Sequence, residues 1–214
     1  MHDELLLFVR RHNAAVEIAR QGPGTAPDTL AEVAREVRGC TRCRLSLTRR
    51  HAVPGEGEAD AALLLVGEAP GRTEDGIGLP FQGLSGRFLD GALAAAGVDR
   101  GDVFITAVAK CRPPGNRNPR RDEIAACAGY LDRQLVLVAP RVVLAMGATA
   151  AARLHPESAG PRTRVGDLRG QVVPLGPDQA LIVTFHPASA MRFPARRQPF
   201  HDDLQRAAAL AGLG

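Results

Sequence analysis

Cys40, Cys43, Cys111 and Cys127 are the only cysteines in 214 residues, and their placement restricts how the chain can close on itself. Cys40-Thr41-Arg42-Cys43 forms a C-x-x-C hook. Cys111 opens the basic, proline-rich loop Cys111-Arg112-Pro113-Pro114-Gly115-Asn116-Arg117, and Cys127 falls on the helix predicted to follow. Four cysteines with none left over predict one four-thiolate site that ties the N-terminal part of the chain to its middle. Two disulfides would need an oxidising compartment. No secretory signal is read: Asp3 and Glu4 stand at the N-terminus without a long apolar core. Structural zinc and an iron–sulfur cluster both accept four thiolates. Zinc sites usually pair two short hooks, whereas a loop and a helical turn separate Cys111 from Cys127. Spacing alone leaves both open.

The rest of the chain predicts the scaffold. Four apolar, β-prone runs, Ala62–Val66, Val103–Val108, Val142–Met146 and Ala180–Phe185, alternate with helical patterns over Leu84–Ala96, Arg121–Val136 and Ala148–Leu154, with a last helix over Pro199–Leu210. Buried strands alternating with helices predict an α/β fold, an α/β/α sandwich around a four-stranded parallel sheet. Asp3–Arg20 has helical spacing and Gln21–Pro27 reads as a linker, so residues 1–27 form an arm and residues 28–214 the domain. Asp28 is the expected N-cap of a helix that runs toward Cys40. No apolar run is long enough to span a membrane. A net charge of +4 is compatible with an anionic partner. Arginine supplies nearly all the positive charge, and Lys110 is the only lysine. Three unusual loops follow the strands: Gly67-Glu68-Ala69-Pro70-Gly71, the Cys111 loop, and His186-Pro187. In an open parallel sheet these share the edge where ligands bind.

These loops carry a resemblance. Gly67-Glu68-Ala69-Pro70-Gly71-Arg72-Thr73-Glu74-Asp75 with Gly78-Leu79-Pro80-Phe81 resembles the first motif of the family 4 uracil-DNA glycosylases. Lys110 to Arg117 resembles that family's central motif, and His186-Pro187-Ala188-Ser189-Ala190-Met191-Arg192 its last. The match runs from about Cys40 to the C-terminus. It implies that Cys40, Cys43, Cys111 and Cys127 ligate a 4Fe–4S cluster. It further implies a monofunctional enzyme that hydrolyses the N-glycosidic bond of uracil in single- or double-stranded DNA and leaves an abasic site. A monomer in the cytoplasm, associated with the nucleoid, is the matching expectation.

Base excision assigns roles to the residues. The enzyme must extrude its base, and Phe81 offers that base a π surface. Negative charge develops on the departing base, so a fixed donor is required. A neutral His186 can donate one hydrogen bond. Glu68 is the carboxylate for orienting water or stabilising the sugar cation, and Asn116 faces the site from the central loop. Gly67 and Gly71 allow tight turns that bring N–H groups toward the base or sugar, and Gly67 and Ala69 are substrate-binding candidates. Glu74 either touches substrate or, like Asp75, braces the loop. Met191 is a wedge candidate, and Arg192 leads a set of phosphate-binding candidates with Arg112, Arg117, Arg120, Arg121, Arg196 and Arg197. One position departs from the family pattern: Ala107 stands where relatives carry an asparagine that reads the uracil edge. The departure opens two alternatives, a glycosylase for hypoxanthine or xanthine and a weakly catalytic iron–sulfur module that senses DNA damage.

Overall fold

The computed structural model describes residues 28–155 and 164–214. The helix expected over Asp3–Arg20 and the 1–27 arm lie outside the described residues. Within them, β1 (Leu63–Gly67), β2 (Val103–Ala107), β3 (Val142–Met146), β4 (Val172–Pro174) and β5 (Ala180–Thr184) form one sheet in the order β2-β1-β3-β5-β4. The four expected strands are present and parallel. The expectation of a four-stranded, all-parallel sheet is corrected by β4, which pairs antiparallel to β5 at the edge. Its three residues are only partly covered, too few to give a hydrophobic period. The opposite edge is padded too: Glu56 and Ile105 exchange backbone hydrogen bonds at 2.7 and 3.0 Å, which shields the open side of β2.

Alternation along the strands sorts the core into two layers. Leu63, Leu65, Ile105, Leu144 and Ile182 face α3 (Leu84–Ala95), α7 (Pro187–Arg192) and α8 (Arg197–Ala211). Leu64, Val66, Phe104, Val143 and Val183 face α4 (Arg121–Val138), α5 (Ala148–Leu154) and α6 (Val165–Leu168). Each fully buried Leu or Ile contributes about 1.5–3 kcal/mol, so burial on both faces fixes strand register. A short α2 (Arg72–Ile77) leaves the end of β1.

The helix α1 (Leu30–Gly39) buries Val33 and Val37 beside Tyr130 and Leu137 of α4. Its N-cap is Thr29, whose hydroxyl accepts from the Glu32 N–H at 3.1 Å, and not Asp28. Asp28 is drawn away by Arg133, which donates to both its oxygens at 2.6 and 2.7 Å and also holds Glu36. A bidentate guanidinium outcompetes a single backbone N–H for that carboxylate.

The central loop is fastened to α4 in the same way. The Glu123 carboxylate is fully buried, receives Arg117 on both oxygens at 2.7 and 2.8 Å, and accepts the Arg120 N–H at 2.7 Å. Arg117 holds the Glu123 pKa down at about 2, against an ordinary 4.5. A depressed carboxylate stabilises the fold above its unfolded pKa, and that contribution is lost as pH falls through the folded value. The chain should therefore lose stability between about pH 4.5 and pH 2. Glu123→Gln should flatten that part of an acid-unfolding curve followed by circular dichroism.

Candidate active site

The loops that leave β1, β2, β3 and β5 surround a cleft of about 390 Å³ at the C-terminal edge of the sheet. It gathers Glu68, Ala69, Glu74, Phe81, Ala107, Asn116 and His186 into one lining, joined by Met146, Gly147 and Ser189. Gly67, Met191 and Arg192 stand outside that lining. Gly67 ends β1 in register with Ala107 of β2, and the two loops beyond stay zipped, with the Ala109 N–H donating to the Glu68 carbonyl at 3.0 Å.

Phe81 sits in the left-handed region at φ 50°, a costly conformation for an aromatic residue. Two glycines make room for it. A Cβ on Gly86 would lie 1.7 Å from the Phe81 carbonyl oxygen, and one on Gly67 would lie 2.6 Å from the ring. Arg100 completes the clamp by donating to the Pro80 carbonyl at 2.8 Å while paired with Glu56 and Asp90. The held ring stacks on His186, with centroids 5.8 Å apart and planes at 28°.

His186 caps the start of α7, and its Nδ1 accepts the Ala188 N–H at 3.2 Å. A backbone N–H can only donate, so in the neutral ring the proton resides on Nε2. Burial pushes the His186 pKa down to about 4, only partly opposed by the negative charge of Glu74. The ring is therefore a neutral donor at physiological pH.

Glu68 accepts a hydrogen bond on Oε2 from the Thr149 hydroxyl at the start of α5. Thr149 went unnoticed in the sequence because it belongs to no motif; only the fold brings it to β1. Glu74 lines the cleft, but its carboxylate is occupied by the backbone N–H groups of Gly71, Gln82 and Gly83 at 2.8–3.1 Å. Asp75 accepts the Arg50 N–H at 2.9 Å. The Asn116 amide oxygen accepts from Arg112 at 2.6 Å, and its backbone is left-handed at φ 54°.

Ala107 presents only a methyl group to the cleft. Behind it, Lys110 is fully buried and donates to Thr106 Oγ1 at 2.7 Å, the Ala107 carbonyl at 2.8 Å and Gln134 Oε1 at 2.6 Å. Burial pushes the Lys110 pKa down to about 7.

The four cysteines carry free thiols. Cys40, Cys43 and Cys111 share an apolar pocket with Val33, Val37, Leu45 and Tyr130, and Cys127 is close enough to feel the charge of Cys40, Cys43 and Cys111. Arg49 donates to Cys111 Sγ at 3.1 Å. Burial raises the Cys127 pKa and pushes that of Cys111 up to about 11, so these thiols ionise readily only when a cation takes their charge. Among the described residues, no group of three or more His, Cys, Asp or Glu side chains is arranged to hold a metal ion. Three thiols in one apolar pocket with Cys127 beside it are the donor chemistry that a four-thiolate cluster takes.

Comparison with known proteins gives a consistent picture. The model of the uracil DNA glycosylase superfamily matches residues 54–208. A type-4 uracil-DNA glycosylase of Pyrobaculum aerophilum is 43% identical over 171 residues, 78% of this chain and 87% of the relative. The type-4 uracil-DNA glycosylase of Saccharolobus solfataricus is 38% identical, covering 84% and 85%. A type-5 uracil-DNA glycosylase of Thermus thermophilus is 33% identical, covering 75% and 81%.

The buried imidazole gives a direct check. Nitrogen-15 NMR should show His186 as the Nε2–H tautomer at neutral pH, with a titration midpoint near 4 instead of the ordinary 6.5. Because the folded state disfavours the charged ring, protonation should cost stability as pH falls between those values.

Proposed function

The chain belongs to the uracil DNA glycosylase superfamily, and we infer that it is a DNA-repair enzyme that removes uracil from DNA by hydrolysing the N-glycosidic bond. The relatives of highest identity reported above are named type-4 uracil-DNA glycosylases, and they align over most of both chains. The observation that carries the chemistry is the neutral His186, fixed as an Nε2–H donor beside Phe81 in the cleft.

In this reading the extruded uracil enters the cleft and meets the Phe81 ring. Bond breaking sends electrons onto the base, and His186 Nε2–H donates to the oxygen that gains charge. The donor is preset by Ala188, so little reorganisation is needed as charge develops. Glu68, anchored on one oxygen by Thr149, has the other available to orient water or to stabilise the cationic sugar. Asn116 stands at the mouth of the cleft, and Glu74 holds the backbone of the Phe81 loop. Residues 28–214 form the working domain. Cys40, Cys43, Cys111 and Cys127 hold a 4Fe–4S cluster, which supplies a cross-link between α1, the central loop and α4 and no hydrolytic chemistry.

Ala107 favours one finer reading. A methyl group cannot exchange hydrogen bonds with a base edge, and lost amide contacts are expensive for selectivity. The cleft should therefore discriminate less sharply between uracil and another deaminated base such as hypoxanthine.

Two measurements test this. Single-turnover excision from oligonucleotides carrying one uracil or one hypoxanthine should show uracil release. His186→Ala should slow that release at least ~10²-fold, the size of effect seen on removing an oxyanion donor. Ala107→Asn should raise the uracil-to-hypoxanthine ratio; an unchanged ratio would remove position 107 from base reading. For the cluster, anaerobically prepared protein should carry about four irons per chain, and Cys111→Ala should lose iron, colour and thermal stability. Stoichiometric zinc without iron would refute that assignment.

A further inference from the structure

Phe193 is the only aromatic residue among the exposed large apolar side chains of the described residues, with 44% of its surface open. Aromatic rings are scarce here, at seven Phe, one Tyr and no Trp, and the other described phenylalanines are at least half-buried. A bare ring loses the stabilisation that burial would give it, and the fold holds this one in place. Its N–H donates to the Ser189 carbonyl at 2.9 Å, closing α7. The Arg196 guanidinium lies 4.5 Å from its centroid and 5.1 Å from that of Phe185, and also donates to Ser189 Oγ at 2.5 Å. Ser189 lines the cleft, so the same hydrogen bond ties Phe193's support to the cleft wall. Arg192 is exposed beside the ring, 5.5 Å from its centroid.

An exposed ring with guanidinium groups beside it matches what single-stranded nucleic acid asks of a protein: a π surface for a base and positive charge for its phosphate. We propose that Phe193 is a stacking platform for a base adjoining the nucleotide held in the cleft, with Arg192 at the neighbouring phosphate. The proposal rests on the reading of the cleft as a DNA glycosylase site. It adds a subsite that grips the flanking strand independently of the excised base. Arg196, half-buried between the Phe185 and Phe193 rings, is the positioning residue that holds Phe193 in place.

The test uses the full chain and a single-stranded oligonucleotide with a tetrahydrofuran abasic analogue flanked by 2-aminopurine. Stacking on the ring should alter 2-aminopurine fluorescence. Phe193→Leu, which keeps apolar volume without a π face, should abolish that change and weaken binding by about 5-fold or more, the usual loss for one stacked base. Phe193→Tyr should retain both. Arg192→Gln should reduce the salt dependence of log K by about 0.7, one phosphate contact on a single strand, and Phe193→Leu should leave that slope alone. Unaltered affinity and fluorescence in Phe193→Leu, or no binding by the unmodified chain, overturns the proposal. An unaltered salt slope in Arg192→Gln overturns its phosphate half. Failure of the unmodified chain to excise uracil would count against the glycosylase reading alone, because the binding measurement needs no turnover.

Discussion

The ammonium group of Lys110 is the junction on which the site depends. It has three protons and meets three oxygens, on Thr106, Ala107 and Gln134, at 2.6–2.8 Å. None of the three is a carboxylate, so burial disfavours the charge and pushes the Lys110 pKa down to about 7, and the arrangement persists only when every partner is in place. The contacts join two parts of the site, β2 through Thr106 and Ala107 and α4 through Gln134. Ala107 is the end of β2 and the cleft lining; Gln134 is on α4, which also carries Cys127. Gln134 and Thr106 both donate to the Pro54 carbonyl, which fixes the segment that leads into β1. Cys111 is the next residue. A buried network of this kind links the thiol pocket to the cleft wall.

The second constraint is backbone strain at Phe81. A left-handed phenylalanine is tolerated because Gly67 and Gly86 remove the atoms that would collide with it and because Glu74 occupies the loop's N–H groups. The consequence is chemical as well as structural. A ring held on both sides can orient His186 through stacking, and Ala188 fixes the imidazole proton from the other side of the ring system. Two weak interactions acting on one ring do what a buried carboxylate does in other sites. They do so without placing a carboxylate on the imidazole itself.

Much of this was legible in the sequence, for identifiable reasons. The four parallel strands announced themselves because strands buried on both faces read as unbroken apolar runs. β4 did not, because three partly covered residues are too few to carry a period. The motif residues Glu68, Phe81, Asn116 and His186 fall in segments after strands and Ala107 ends one, so the topology brings them to one edge. Thr149 and Gln134 were invisible because their importance comes from partners 81 and 24 residues away. Asp28 was misplaced as a cap because a sequence window cannot see Arg133, 105 residues on. Phe193 was hidden differently: its exposure is a property of packing, and nothing in its local sequence distinguishes it from a core phenylalanine.

The departure at Ala107 gains meaning from this architecture. The groups proposed to handle the leaving charge are held through backbone hydrogen bonds: His186 by the Ala188 N–H, and the Phe81 loop by the Glu74 and Arg100 side chains. The side chain proposed to identify the base is a methyl group, at the strand end that Lys110 holds. Rigid acceptance of charge combined with weak reading of the base edge leaves selectivity to shape and to the energy of extruding the nucleotide, which is lowest for a mispaired or unpaired base. In such an enzyme, contacts outside the cleft gain weight. A subsite that grips the neighbouring strand decides how long any extruded base remains in the cleft, and so sets how much chemistry a weakly read base receives.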